Sequence, residues 1–276
     1  MGRGFLKRLN WVDAFLYVLR IVIIVLVIYG AYNTLSSDKY TADQWLGLVM
    51  SGLAQGSIYA LIALGYTLVY GILLMINFAH GEIFMAGAFT AVFAAEGLAR
   101  AGWLETPVKA TISILLLVLL ASTVSMVLAI LLERVAYRPL RGAPRLVPLI
   151  TAIGASFFLQ YTFKGFYGSG FKSYPLVPML QGGIPLGQFS IPKVQVVVIV
   201  LAIVLMGLLY FLVERTKIGK AMRAVSENKE VARLMGINID RVIVFTFMVG
   251  GALAGAAGVI NGLYRPQGVN FFMGFF

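Results

Sequence analysis

The sequence contains no cysteine, which excludes disulfides, thiolate metal sites and cysteine nucleophiles together. It has a single histidine, His80, so no multi-histidine metal site can be built from this chain. Charge is scarce too: 12% of residues are charged, against roughly 25% in an ordinary soluble domain. What replaces charge is apolar bulk, with 60% hydrophobic residues and a mean hydropathy of +0.91. A chain of 276 residues with that balance cannot hide its apolar surface from water, so the surface must face lipid and itself. In lipid only helices and closed barrels satisfy their own backbone groups. The apolar runs are continuous rather than alternating, and that selects helices.

A hydrocarbon core about 30 Å thick needs roughly 20 helical residues. Seven runs approach that length: Leu16 to Tyr32, Trp45 to Ile76, Phe78 to Leu98, Val108 to Leu132, Leu146 to Phe163, Val194 to Val213 and Val242 to Tyr264. The expected fold is therefore all-α, a polytopic transmembrane helical bundle of about seven spans. Residues 1–43 read as an N-terminal extension with one span, and 44–276 as the main transmembrane domain. Only Asn77, His80 and Glu82 interrupt the stretch from Trp45 to Glu96, so a broken or re-entrant helix fits there as well as two spans. The basic start of the first run has the look of a secretory signal, but no clean small-x-small cleavage site follows and it reads as a span. At the other end, Phe275-Phe276 leaves an apolar tail without a polar terminus, which reads as a chain cut short.

Short loops keep lysine and arginine on the cytoplasmic side. With the N-terminus cytoplasmic, the inner segments hold Arg3, Lys7 and Arg8, then Arg134, Arg138, Arg141 and Arg145, then Arg215, Lys217, Lys220, Arg223, Lys229, Arg233 and Arg241. The outer segments hold fewer: Lys39, Arg100, Lys109, Lys164, Lys172, Lys193 and Arg265. The net charge of +11 is thus an orientation signal, and no nucleic-acid partner is expected. The outer loop from Lys164 to Lys193 is rich in proline and glycine and favours turns over helix.

Three constellations stand out against this background. Gly52, Gly56 and Ala60 on the second run, and Gly250, Ala254, Gly258 and Gly262 on the last, recur every fourth residue. Such rows fall on one helix face and let backbones approach closely, which predicts helix packing. Asn77, His80 and Glu82 place polar side chains at bilayer depth, where a carboxylate is costly unless paired or facing water, and they are candidates for a substrate pathway. His80 and Glu82 stand two apart and do not share a helix face, so satisfying both calls for a helix break at Gly81 or a water-lined position. The inner loop from Glu214 to Arg241 carries the third. Ser226 and Asn228 are competent caps, Val231, Leu234 and Met235 recur at i, i+3 and i+4, and Gly236 suits a left-handed C-terminal cap. A short amphipathic helix is predicted there, resting on the membrane or docked on a partner.

The stretch from Gly219 to Ile237, Gly-Lys-Ala-Met-Arg-Ala-Val-Ser-Glu-Asn-Lys-Glu-Val-Ala-Arg-Leu-Met-Gly-Ile, resembles the cytoplasmic loop of ABC importer permeases of the branched-chain amino acid (Liv) type. Gly56 to Gly65, Asn77 to Gly87 and Glu133 to Arg141 resemble the same family in the same order. The resemblance runs from about Trp45 to Tyr264, and the segment before Asp43 departs from it. It implies a permease of a bacterial-type inner membrane that works with ATPase subunits, a second related permease and an extracytoplasmic substrate-binding protein. It also implies coupling to the ATPase through Glu227, Asn228, Val231, Ala232, Leu234, Met235 and Gly236. The chain has no Gly-x-x-x-x-Gly-Lys-Ser/Thr phosphate loop, so no cofactor is expected here and ATP belongs on the partner. A proton-coupled transporter using His80 and Glu82 is the competing reading, and an intramembrane enzyme has too few catalytic pairs to draw on. Branched-chain amino acids, other amino acids, urea and short amides all remain open as substrates.

Overall fold

The computed structural model describes residues 11–37, 40–144, 146–186, 189–265 and 268–275. Arg3, Lys7, Arg8, Lys39, Arg145 and Phe276, used above for orientation and for the chain end, lie outside the described residues. The helices are α1 (Trp11–Leu35), α2 (Ala42–Leu73), α3 (His80–Arg100), α4 (Pro107–Leu132), α5 (Leu146–Tyr167), α6 (Lys193–Arg215), α7 (Lys217–Glu227), α8 (Lys229–Leu234) and α9 (Ile239–Tyr264). Among the described residues seven of them, all but α7 and α8, are long and apolar enough to cross a membrane, as expected of an all-α polytopic bundle.

Local chemistry sets the ends. Thr41 and Gln44 form a capping box at the start of α2. Pro107 opens α4, where its missing N–H costs nothing. The stretch left open between the second and third runs resolves into two helices. Leu74 takes a left-handed conformation (φ 57°) and terminates α2, and the chain crosses to His80 before α3 begins. The break therefore lies upstream of His80, not at Gly81. Beyond Leu132, α4 loosens into a π turn over Glu133–Tyr137 and a 3-10 turn over Arg138–Leu140. The outer loop is more ordered than its composition implied, with a hairpin of β1 (Gly183–Leu186) and β2 (Phe189–Pro192) leading into α6. The inner loop forms two helices rather than one, α7 and α8.

Helix α9 lies at the centre, packed between α2, α3 and α4, and two rows of small residues put it there. Gly250 sits 3.3 Å from the Gly65 carbonyl on α2, and Gly258 packs on Phe84 and Ala88 of α3, both measured from where a Cβ would stand. The adjacent row, Gly251 and Gly255, meets Ser125 and Ala121 of α4. Ala254, between Gly250 and Gly258 in the first row, is fully buried. Gly52 and Gly56 are placed otherwise: among the described residues nothing lies within 4 Å of a Cβ at either, and both face outward from α2. After α9 the chain folds back along the bundle. Val269 pairs with Lys172 (2.8 and 2.9 Å), Phe271 lies 5.1 Å from the Lys164 ammonium, and Gly274 rests on the backbone of Gly81.

Candidate functional site

The polar residues predicted at bilayer depth are all buried, and they cluster at the first turn of α3. A helix start leaves backbone N–H groups without partners. Asn77 supplies one acceptor, its Oδ1 taking the Ala79 N–H (3.1 Å) and also the Tyr137 hydroxyl (2.7 Å). Asn77 thereby ties the break between α2 and α3 to the π turn at the end of α4. His80 stacks at a tilt on Tyr66 of α2, ring centroids 4.5 Å apart. Gly65 is required beside it, because a Cβ there would stand 2.5 Å from His80 Nε2. Glu82 Oε1 accepts from the Ser156 hydroxyl of α5 at 3.1 Å, whereas its Oε2 and His80 Nε2 are buried without hydrogen-bond partners among the described residues.

Among the described residues no hydrogen bond joins His80 to Glu82; the fold gives His80 to Tyr66 and Glu82 to Ser156. A cavity of about 370 Å³ opens beside them, lined by Tyr66, Phe78, Ile153, Ser156, Phe157 and Gly274. A second, of about 230 Å³, presents Tyr59, Asn261, Arg265 and Asn270. Met273 lines one cavity and Gly274 the other, so the folded-back tail borders both. The cluster is thus only partly satisfied, and it lies beside two cavities. On the loop beyond α5, Tyr174 donates to the Ala88 carbonyl (2.8 Å) over Gly262, and burial pushes its hydroxyl pKa up.

The second half of the site lies where the turns after α4 meet α8 and the start of α9. Arg141 pairs with Glu133, which is fully buried, and with Asp240 at the start of α9; Arg138 reaches Asp240 at 3.5 Å. The π turn buries both Glu133 and Tyr137, one paired with Arg141 and the other with Asn77. Helix α8 is capped by Asn228, whose Oδ1 accepts from the N–H groups of Glu230 (2.9 Å) and Val231 (3.1 Å). Ser226 instead lies inside α7 and donates to the Arg223 carbonyl. Gly236, at φ 81°, ends the turn with the left-handed geometry expected of it, and the Ile237 N–H closes on the Ala232 carbonyl at 3.0 Å.

The face of α8 is split. Ala232 is buried and seats the helix, whereas Val231, Leu234 and Met235 are 53%, 86% and 77% exposed. Glu227 and Asn228 are exposed beside them. The residues missed from sequence are Tyr66, Glu133, Tyr137, Arg141, Ser156 and Asp240. For Glu133, Tyr137 and Arg141 the signals were their i, i+4, i+8 spacing at the end of an apolar run and the family resemblance of the stretch that holds them.

Residues 48–275 match the family described as branched-chain amino acid transport system / permease component. The chain is 40% identical over 226 residues to the high-affinity branched-chain amino acid transport system permease protein BraD of Pseudomonas aeruginosa, covering 79% of this chain and 71% of that protein. It is 37% identical over 240 residues to the permease protein LivH of the Escherichia coli high-affinity branched-chain amino acid transport system, covering 84% and 74%. A probable branched-chain amino acid transport permease LivH of Methanocaldococcus jannaschii is 26% identical over 216 residues, covering 76% of this chain and 64% of that protein. No solved structure matches the chain.

Proposed function

Because the chain belongs to the branched-chain amino acid transport permease family and is a multi-pass inner-membrane protein, we propose that it is the membrane-spanning subunit of an ABC importer for branched-chain or related amino acids. In this reading the basic end is cytoplasmic and the 214–241 segment engages separate ATPase subunits, which bind the ATP. A second, related permease completes the pathway, and an extracytoplasmic binding protein delivers the substrate. Residues 1–43 add one span to the permease domain.

The observation that carries the reading is the split face of α8. An apolar triad exposed on a helix held by a cap, a left-handed glycine and a buried alanine has the form of a docking surface rather than a stray patch. From there a continuous set of contacts leads inward. Helix α8 leads through Gly236 to the start of α9, where Asp240 pairs with Arg141. Arg141 holds Glu133, and the same π turn carries Tyr137 to Asn77 beside His80 and Glu82. Movement of α8 as a rigid body would therefore shift the turn that positions the polar cluster.

The test is uptake and ATP hydrolysis in vesicles reconstituted with the permeases, the ATPase and the binding protein. Leu234→Asp is expected to lower uptake by about tenfold or more, as loss of a buried apolar anchor does at interfaces. Gly236→Val, strained at φ 81°, should leave hydrolysis running with little uptake. Uptake per ATP unchanged in both variants would overturn the coupling role.

A further inference from the structure

At the basic end a cavity of about 400 Å³ is enclosed by the ends of α2 and α4, the start of α5, α8 and the start of α9. Its lining is of two kinds. Leu73, Met75, Leu140 and Ile243, at the ends of spans, contribute apolar lining, and Arg141, Lys229 and Arg233 contribute cationic lining. The one carboxylate among the described lining residues, Asp240, is already shared by Arg141 and Arg138. Glu133, behind the wall, is taken by Arg141. Lys229 and Arg233 have no ion-pair partner among the described residues, and the Nε of Arg141 is buried without an acceptor.

Positive charge thus exceeds negative in a partly enclosed space, and the strain shows on Lys229. Burial and the nearby Arg141 guanidinium push its ammonium below the ordinary lysine pKa. An anion lying between these groups would offset the repulsion from Arg141 and favour the charged ammonium.

We propose that this cavity binds the phosphate of an anionic phospholipid, held by Arg141, Lys229 and Arg233, with the glycerol and first acyl carbons against Leu73, Met75, Leu140 and Ile243. The Arg233 guanidinium can match two phosphate oxygens and the Lys229 ammonium adds a point charge, while Arg141, whose terminal nitrogens serve Glu133 and Asp240, lies beside them. Basic pockets between spans at a membrane surface take lipid head groups by this chemistry. The apolar lining decides the source: a free phosphate gains nothing from it, whereas a diester with two chains buries carbon there. Since the cavity joins α8 to the ends of α2, α4 and α9, a lipid seated in it would favour one placement of α8.

The experiment uses the full chain in nanodiscs of phosphatidylcholine with graded phosphatidylglycerol, reading retained lipid by native mass spectrometry. Wild type is expected to retain phosphatidylglycerol selectively. Lys229→Gln and Arg233→Gln should each weaken retention about fivefold and together about twenty-five-fold, at roughly one charge's worth of membrane attraction apiece. The charge-preserving pair Lys229→Arg with Arg233→Lys should keep it, and the two single variants carry the test if the double variant does not fold. Equal retention of the two lipids by wild type, or unchanged retention in folded glutamine variants, would overturn the site. Displacement of phosphatidylglycerol by inorganic phosphate would overturn the lipid as its ligand.

Discussion

Helices α1 and α9 are nearly equal in length, 25 and 26 residues, and α1 is the more apolar, yet none of the apolar window of α1 is buried within the chain against 72% of that of α9. In water the order would be reversed. In lipid an apolar side chain gains little by leaving the acyl chains, so hydrophobicity places a helix in the membrane without choosing its neighbours. What distinguishes α9 is small residues: Gly250, Gly251, Gly255, Gly258 and Gly262, with alanines between them, let three other helices approach its backbone. The corresponding stretch of α1, from Ile21 to Ile28, is built of valine, isoleucine and leucine and keeps neighbours at a distance.

The sharpest way to break this comparison is to add bulk to α9. At Gly258 a Cβ would already stand 2.7 Å from the Phe84 carbonyl, which is backbone and cannot swing away. Gly258→Val should therefore destabilise the bundle by about 3 kcal/mol, read as unfolding in detergent titration. Removing bulk should cost less. Phe247 is buried against Tyr137, with ring centroids 5.5 Å apart, and Phe247→Ala leaves a cavity. With no transfer to water in the balance, about 2 kcal/mol is expected from the lost contacts, at the low end for such changes. On α1, Leu26 is 62% exposed, so Leu26→Ala should shift the same titration by less than about 0.5 kcal/mol. A large effect at Leu26 would mean that α1 packs on the bundle after all, and a small one at Gly258 that the α3–α9 contact gives way.

Much of the fold could be read because the bilayer is a simple constraint. Most spans were legible to within a few residues from length and apolarity alone, including α6 and α9, whose ends are marked by Arg215 and Arg241. The division of the stretch from Trp45 to Leu98 into α2 and α3 was not. The polar cluster was legible as residues, since Asn77, His80 and Glu82 sit where polar groups are expensive. Its partners were not. Tyr137 is 60 residues from Asn77 and Ser156 is 74 from Glu82, and no periodicity within one helix reports which other helix will face it. The same limit explains Gly52 and Gly56: spacing showed a face that permits close approach, while only the packed bundle shows whether another helix of this chain uses it.

From the sequence alone follow the membrane, the all-α bundle, the helix in the basic loop with its Asn228 and Gly236 ends, and the kinship that places the chain among permeases. Those depend on composition, local propensity and short motifs, which act along the chain. Only tertiary structure decided that α9 is the hub, that the break before α3 is tied to a π turn in α4, and that Arg141 joins α4 to α9 beside a cationic cavity. Each rests on contacts between distant segments, set by which helix faces are small enough to meet.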